Sequence, residues 1–288
     1  MTGDRAVLAV GGHESLAGPN VPPDGVLPPG TGGIHDPGRG LRTALGGHAR
    51  AVVVPMTLGR DPGVTRSAAQ TLAWAARDRR PGDLLLAPPL GTVTHLVGWI
   101  RAAVVRTVPG AGLHGAGFHG AGFRGAVLLV ARAADPEADA ELFKVARLVR
   151  QYLPVRWVEV ALADGEPDVA EGVERCHRLG AGEVVLVPAS LVPLRPDYST
   201  GADRVAGPLL GGAALAALVR ERAAEAERRW SRDHDDGLAA AADHGHGHGH
   251  GHGHGGAHQA RHHDDLSELI GMEPGEGAAH GRLHVRGG

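Results

Sequence analysis

Ala6-Val-Leu-Ala-Val10-Gly-Gly-His13-Glu14 opens a pattern that returns as Ala126-Val-Leu-Leu-Val130-Ala-Arg-Ala133-Ala134. Each begins with a brief apolar run of the kind that forms a strand buried on both faces. Only the first copy ends on a histidine. Val52-Val-Val-Pro55-Met-Thr-Leu58 is matched by Val185-Leu-Val-Pro188-Ala-Ser-Leu191. Ala87-Pro-Pro89-Leu90 with His95-Leu96 is matched by Ala206-Gly-Pro208-Leu209 with Ala214-Leu215. The offsets are 120, 133 and 119 residues, so order is kept while one connection has changed length. Self-similarity of this kind points to a duplicated unit that can keep chemistry in one half and scaffold in the other.

Working outward, the first half reads as strands Ala6–Val10, Ala51–Val54 and Asp83–Ala87, with helices over Leu41–Leu45, Thr65–Ala76 and Thr94–Val105. Asp61 or Thr65 marks the start of the second of these helices, and Thr92 or Thr94 caps the third. Residues 16–40 are rich in Pro and Gly and read as an irregular loop. The second half alternates strands Ala126–Val130, Trp157–Leu162 and Glu183–Val187 with helices Glu137–Gln151, Pro167–Leu179 and Pro208–Trp230. Strands alternating with helices predict α/β architecture: two tandem domains, each a small parallel sheet flanked by helices. The expected divisions are 1–109, a Gly-rich linker over 110–125 containing His114 and His119, 126–230, and a His-rich tail over 231–288. Ligands of such sheets bind beyond the carboxyl ends of the strands, which is where His13 falls.

Composition narrows the function. The formal charge of -3 points to neither nucleic acid nor an anionic membrane as partner. A lone Cys176, in a helical pattern, excludes disulfides within the chain and disfavours a thiolate metal site. No signal-peptide layout and no apolar run of about 20 residues is present, so a soluble cytoplasmic protein is expected. Phosphate-loop, dinucleotide and Gly-x-Ser-x-Gly signatures are missing, so no nucleotide or redox cofactor is expected.

Histidine is the anomaly: of 19, 12 lie from His234 onward. His244, His246, His248, His250, His252 and His254 alternate with glycine, a composition that cannot pack a core and offers many overlapping imidazole sites for a transition metal. Elsewhere, His13 after Gly11-Gly12 is a ligand for Co, Ni, Fe or Zn and a base near neutral pH. Glu14 beside it is an assisting carboxylate in this reading. His95, at the opening of a helix, is either a first-turn residue or a second ligand.

The second half resembles the sirohydrochlorin chelatase family in its long, two-domain bacterial form. The residues that carry the likeness are Val127–Asp139, Lys144-Val-Ala-Arg-Leu148, Trp157-Val-Glu-Val-Ala161, Val173–Gly180 and Val184-Val-Leu-Val-Pro188. The first half resembles it more loosely through Gly12-His13, Val54-Pro55 and Pro89-Leu90 with His95. A His-rich C-terminal tail also occurs among long members. The resemblance implies insertion of a divalent metal into the tetrapyrrole sirohydrochlorin, in cobalamin or siroheme biosynthesis, with Co²⁺ first and Fe²⁺ or Ni²⁺ as alternatives. The metal is then a substrate. His13 matches the family's metal-binding histidine after the first strand. The family also places a second histidine just after its Pro-x-x-Leu strand, where this chain reads Pro55-Met-Thr-Leu-Gly-Arg60-Asp-Pro-Gly. His95 or the tail then supplies that ligand, or the activity is weakened or gone. The alternative is a non-catalytic metal-binding paralogue that stores or delivers nickel or cobalt through the tail.

Overall fold

The computed structural model describes residues 5–15, 33–108, 123, 125–153, 155–199 and 201–239. The Gly-rich repeat with His114 and His119, and the His-Gly tract from His244 to His254, lie outside them. Both sheets fall within one compact unit.

The first sheet contains β1 (Ala6–Val10), β2 (Ile34–His35), β3 (Ala51–Pro55) and β4 (Leu84–Leu86) in the order β2-β1-β3-β4. The second contains β5 (Ala126–Arg132), β6 (Trp157–Ala163), β7 (Val184–Pro188) and β8 (Arg204–Val205) in the order β6-β5-β7-β8. All pairings are parallel, and the two orders are the same topology written twice. The register repeats as well. Val10 lies opposite Pro55 as Val130 lies opposite Pro188. Met56 N donates to Val10 O at 2.7 Å as Ala189 N donates to Val130 O at 2.8 Å, and Ala87 N reaches Val53 O as Ala206 N reaches Leu186 O. The sequence offsets of 120, 133 and 119 thus coincide with hydrogen-bond register.

The irregular loop expected over 16–40 is corrected at its end. Ile34–His35 adds an edge strand to β1, and α1 (Arg39–Leu45) begins before Leu41. Two residues in a Gly- and Pro-rich setting give too short a run to show alternation. Helix α2 (Pro62–Ala75) starts three residues ahead of the expected Thr65, because Asp61 caps it and Pro62 suits the first helical position. Helix α3 covers Val93–Thr107, α4 Pro136–Tyr152, α5 Val169–Arg178 and α6 Gly212–Asp233.

Helices α1 and α2 cover one face of the first sheet, and α5 one face of the second. The other two faces share a single core in which the last helix of each half crosses over. Helix α6 lays Leu215, Val219, Ala223 and Ala226 toward this core and packs on β3 and β4 of the first sheet. Helix α3 packs on α4 and β7 of the second half, through a stripe including Leu96, Ile100 and Val104. The crossing is tied by polar contacts: Arg222 Nε donates to Leu90 O at 3.4 Å, and Arg204 Nη1 to Thr107 O at 3.3 Å.

Residues 231–239, expected to belong to the tail, are part of the folded unit. Helix α6 runs to Asp233 and ends on His234 in the left-handed region, φ 53°. Beyond it Leu86 N donates to Asp236 O at 2.9 Å, and Leu238 packs on the core under α1 and α2. Trp230 lies against Gly82, whose φ of +81° and lack of a side chain leave room for the indole. Among the described residues no helix is long and apolar enough to cross a membrane.

Candidate functional site

The carboxyl end of β1 turns sharply through Gly11-Gly12, and glycine is required at both. A Cβ on Gly11 would lie 2.1 Å from Ser15 Oγ, and one on Gly12 2.0 Å from Asp61 Oδ2. That close approach brings His13 onto Asp61. The imidazole Nδ1 stands 3.1 Å from Asp61 Oδ2, and the His13 backbone N–H donates to the same oxygen at 3.2 Å. Asp61 Oδ1 meanwhile accepts from Val64 N at 3.3 Å as the cap of α2. The other imidazole nitrogen, Nε2, is buried and has no hydrogen-bond partner.

Burial works against the charged form of Asp61, but the hydrogen bond and charge of His13, with the Val64 and His13 backbone N–H groups, outweigh it. Its carboxyl therefore sits below the ordinary carboxylate value. The start of α2 adds the favourable end of a helix dipole. An ionised carboxylate on Nδ1 keeps the ring proton there, leaving the Nε2 lone pair for a metal or a proton.

Glu14 has a different task from the assisting role read from the sequence. It is fully buried. Its Oε2 accepts from the Thr57 hydroxyl, from Leu58 N at 2.9 Å and from Asp61 N at 3.1 Å. Its backbone carbonyl accepts from Leu191 N of the second half at 2.9 Å. Glu14 thus ties down the loop that carries Asp61. Ionised side chains are rarely buried, so nothing in a His-Glu pair signals this from sequence.

Arg60 is just as buried, at 1% exposure. Its Nε and Nη2 donate to Ala138 O at 3.3 and 3.1 Å, and Nη1 to Ala189 O at 3.5 Å, all in the second half. Burial pulls its pKa down, opposed by the charges of Glu14, Asp139, Asp61 and Glu141. This arginine, in the stretch where the resemblance led to the expectation of a second histidine, serves the seam between the halves.

His95 is a capping residue. Its Nδ1 accepts from Thr92 N at 3.2 Å and lies 2.9 Å from Thr92 Oγ1, on an exposed helix start. Among the described residues, no group of three or more His, Cys, Asp or Glu side chains gathers in a way that holds a metal. His95 therefore does not join His13 and Asp61, and the expected second ligand is not found there. Cys176 is buried, which pushes its thiol up to about 11 and leaves it inert. The partner of His13 that sequence reading missed is Asp61, whose signal, Asp61-Pro62, reads wholly as a helix start.

Beyond the carboxyl ends of β3 and β4, between the starts of α2 and α3, opens a cleft of about 620 Å³. Pro88, Pro89 and Val93 give it apolar walls, and Arg66 and Arg229 stand at its edge. It shares the 57–66 segment with the His13–Asp61 pair but is not lined by His13.

Residues 126–193 match the model of the CbiX family. A curated relative, sirohydrochlorin cobaltochelatase of Priestia megaterium, is 38% identical over 65 residues, which is 22% of this chain and 21% of the relative. Among solved structures, SirB from Bacillus subtilis with Fe³⁺ aligns over 81% of this chain and 99% of its own, at 15% identity and a TM-score of 0.48. The sirohydrochlorin chelatase SirB from Bacillus subtilis subspecies spizizenii in complex with cobalt covers the same shares at 14% identity and a TM-score of 0.45.

Proposed function

We propose that the chain is a sirohydrochlorin chelatase whose first half inserts a divalent metal into sirohydrochlorin at His13, a reading supported by the match of residues 126–193 to the CbiX family. The observation that carries this reading is the unpartnered, buried Nε2 of His13, set opposite an Nδ1 held by Asp61. A buried imidazole nitrogen without a partner calls for one, and a carboxylate behind a histidine is the usual support for a metal ligand. The name of the curated relative favours Co²⁺, with Fe²⁺ and Ni²⁺ as alternatives, since imidazole sites do not discriminate sharply among them.

The chemistry needs no redox change. Two pyrrole N–H bonds break, the two nitrogens bind the metal together with the two remaining ring nitrogens, and two protons leave. His13 Nε2 would hold the incoming ion and, once the ion has passed to the ring nitrogens, take up one of the two pyrrole protons on the freed lone pair, the other passing to solvent. Asp61 keeps the proton of the neutral ring on Nδ1 and stabilises the imidazolium once Nε2 is protonated. Glu14 acts by holding the 57–61 loop and does not touch the reacting atoms in this reading. The assignment to cobalamin or siroheme synthesis and a cytoplasmic location are parts of the same proposal.

The test mixes the full chain with sirohydrochlorin and Co²⁺ and follows the absorption change of the macrocycle. A rate above the spontaneous one that His13→Ala abolishes is expected. Wild-type and His13→Ala rates both equal to the spontaneous rate would remove the enzymatic reading and leave storage or delivery of nickel or cobalt by the tail.

A further inference from the structure

Burying a guanidinium is costly unless its donors are well used, and Arg60 is nearly inaccessible. What the cost achieves is visible in its neighbours. The segment Thr57–Asp61 is fixed from two sides. Glu14 Oε2 gathers Thr57, Leu58 and Asp61 from the first half. Arg60 fastens the same segment to Ala138 O at the start of α4 and to Ala189 O just after β7. The next residue along the backbone is Asp61, the carboxylate on His13.

We propose that Arg60 is a positioning residue through which the second half, which has no histidine at its own strand end, sets the orientation and tautomer of His13. The chain of contacts runs from Ala138 and Ala189 carbonyls to the Arg60 guanidinium, through one peptide to Asp61, and from Asp61 Oδ2 to His13 Nδ1. The second copy is then a jig for the site in the first, which accounts for keeping a complete second sheet with Ala133 at the position equivalent to His13. The catalytic consequence rests on the function proposed above; the effect on the His13 ring does not.

The experiment reads the two imidazole nitrogens of His13 by ¹⁵N NMR in the full-length protein at fixed pH, the signals being assigned by their loss in His13→Gln. Wild type is expected to show a protonated Nδ1 and an unprotonated Nε2. In Arg60→Met, which fills the space without the donors, the two tautomers should mix and the chelation rate should fall at least tenfold, with amide signals of the second half unchanged. Arg106→Met is the control, because Arg106 Nη2 also spans the halves, to Pro208 O and Leu209 O at 3.4 Å, but away from Asp61. It should leave His13 as in wild type. A wild-type His13 spectrum in Arg60→Met, or equal disturbance by Arg106→Met, overturns the proposal. If Arg60→Met does not fold, Arg60→Lys decides: a shift toward mixed tautomers supports the proposal and a wild-type spectrum overturns it. Absence of any chelation rate in wild type removes the function and leaves this reading of the ring intact.

Discussion

At the end of β1 the chain turns through two glycines and presents His13 to Asp61; at the end of β5 it runs straight on to Arg132, paired with β6 as far as Ala163. The pairing of β1 with β3 repeats in that of β5 with β7, so the segments that leave the two strand ends compare residue by residue. With the offsets of 120 and 133, Ala133 stands for His13, Ala134 for Glu14, Ser190 for Thr57, Pro193 for Arg60 and Leu194 for Asp61. Each polar member of the first network has a small or apolar counterpart, except the hydroxyl. Ser190 Oγ, with no carboxylate to serve, turns to Val192 O at 3.2 Å. Leu194 packs on the core under α5. The network was kept or lost as a set, which is what a cooperative polar cluster demands: a partly satisfied one is worse than none.

The comparison breaks first at His13. His13→Ala should lower the chelation rate by about 10²- to 10⁴-fold, the usual share of a positioned base, measured against the spontaneous reaction. Glu14→Ala comes next. It strands the N–H groups of Leu58 and Asp61 in a buried loop, and chemical denaturation should show a loss of about 3 kcal/mol. Glu14→Gln, which keeps an acceptor oxygen, should lose less.

Asp61→Asn should lower metal affinity or rate about 10- to 100-fold, as loss of a carboxylate behind a ligand does, read by calorimetric titration of Co²⁺ and by initial rates. It also has a pH signature. Because the folded carboxyl lies below its ordinary value, its contribution to stability is present above the unfolded pKa, near 4, and is lost as the pH falls through the folded one. The stability gap between wild type and Asp61→Asn in urea should be full at pH 6 and shrink below pH 4. A gap that stays constant would mean that Asp61 is not ionised against His13.

The smallest effect sharpens the comparison from the other side. Ala133→His in the His13→Ala background should restore no activity. Leu194 stands where Asp61 stands in the first half, so the new ring would lack the carboxylate that holds His13 Nδ1. Recovery of the rate would show that a histidine at either strand end suffices.

Six of the eight described strands were legible from the sequence because short apolar runs closed by Gly or Pro carry their own signature. Strands β2 and β8 were not, since two residues cannot display a period. Helices α3 and α6 were legible as helices, yet a helical pattern does not say against which sheet it packs, so the crossover was beyond reach. At the site, His13 was legible from its position after the strand. Asp61 and Arg60 were not: one looked like a cap, the other like a missing histidine, and only the folded chain shows that both positions had been given new work.

The crossing of α3 and α6 has a consequence for dissection of the protein. A fragment ending before Gly110 would carry a sheet whose β3–β4 face lies bare and a helix with nothing to cover, and the remaining fragment would have the converse fault. The repeats are therefore not separable modules. Produced as two polypeptides, they should be insoluble singly and recover one another on mixing, as an obligate pair.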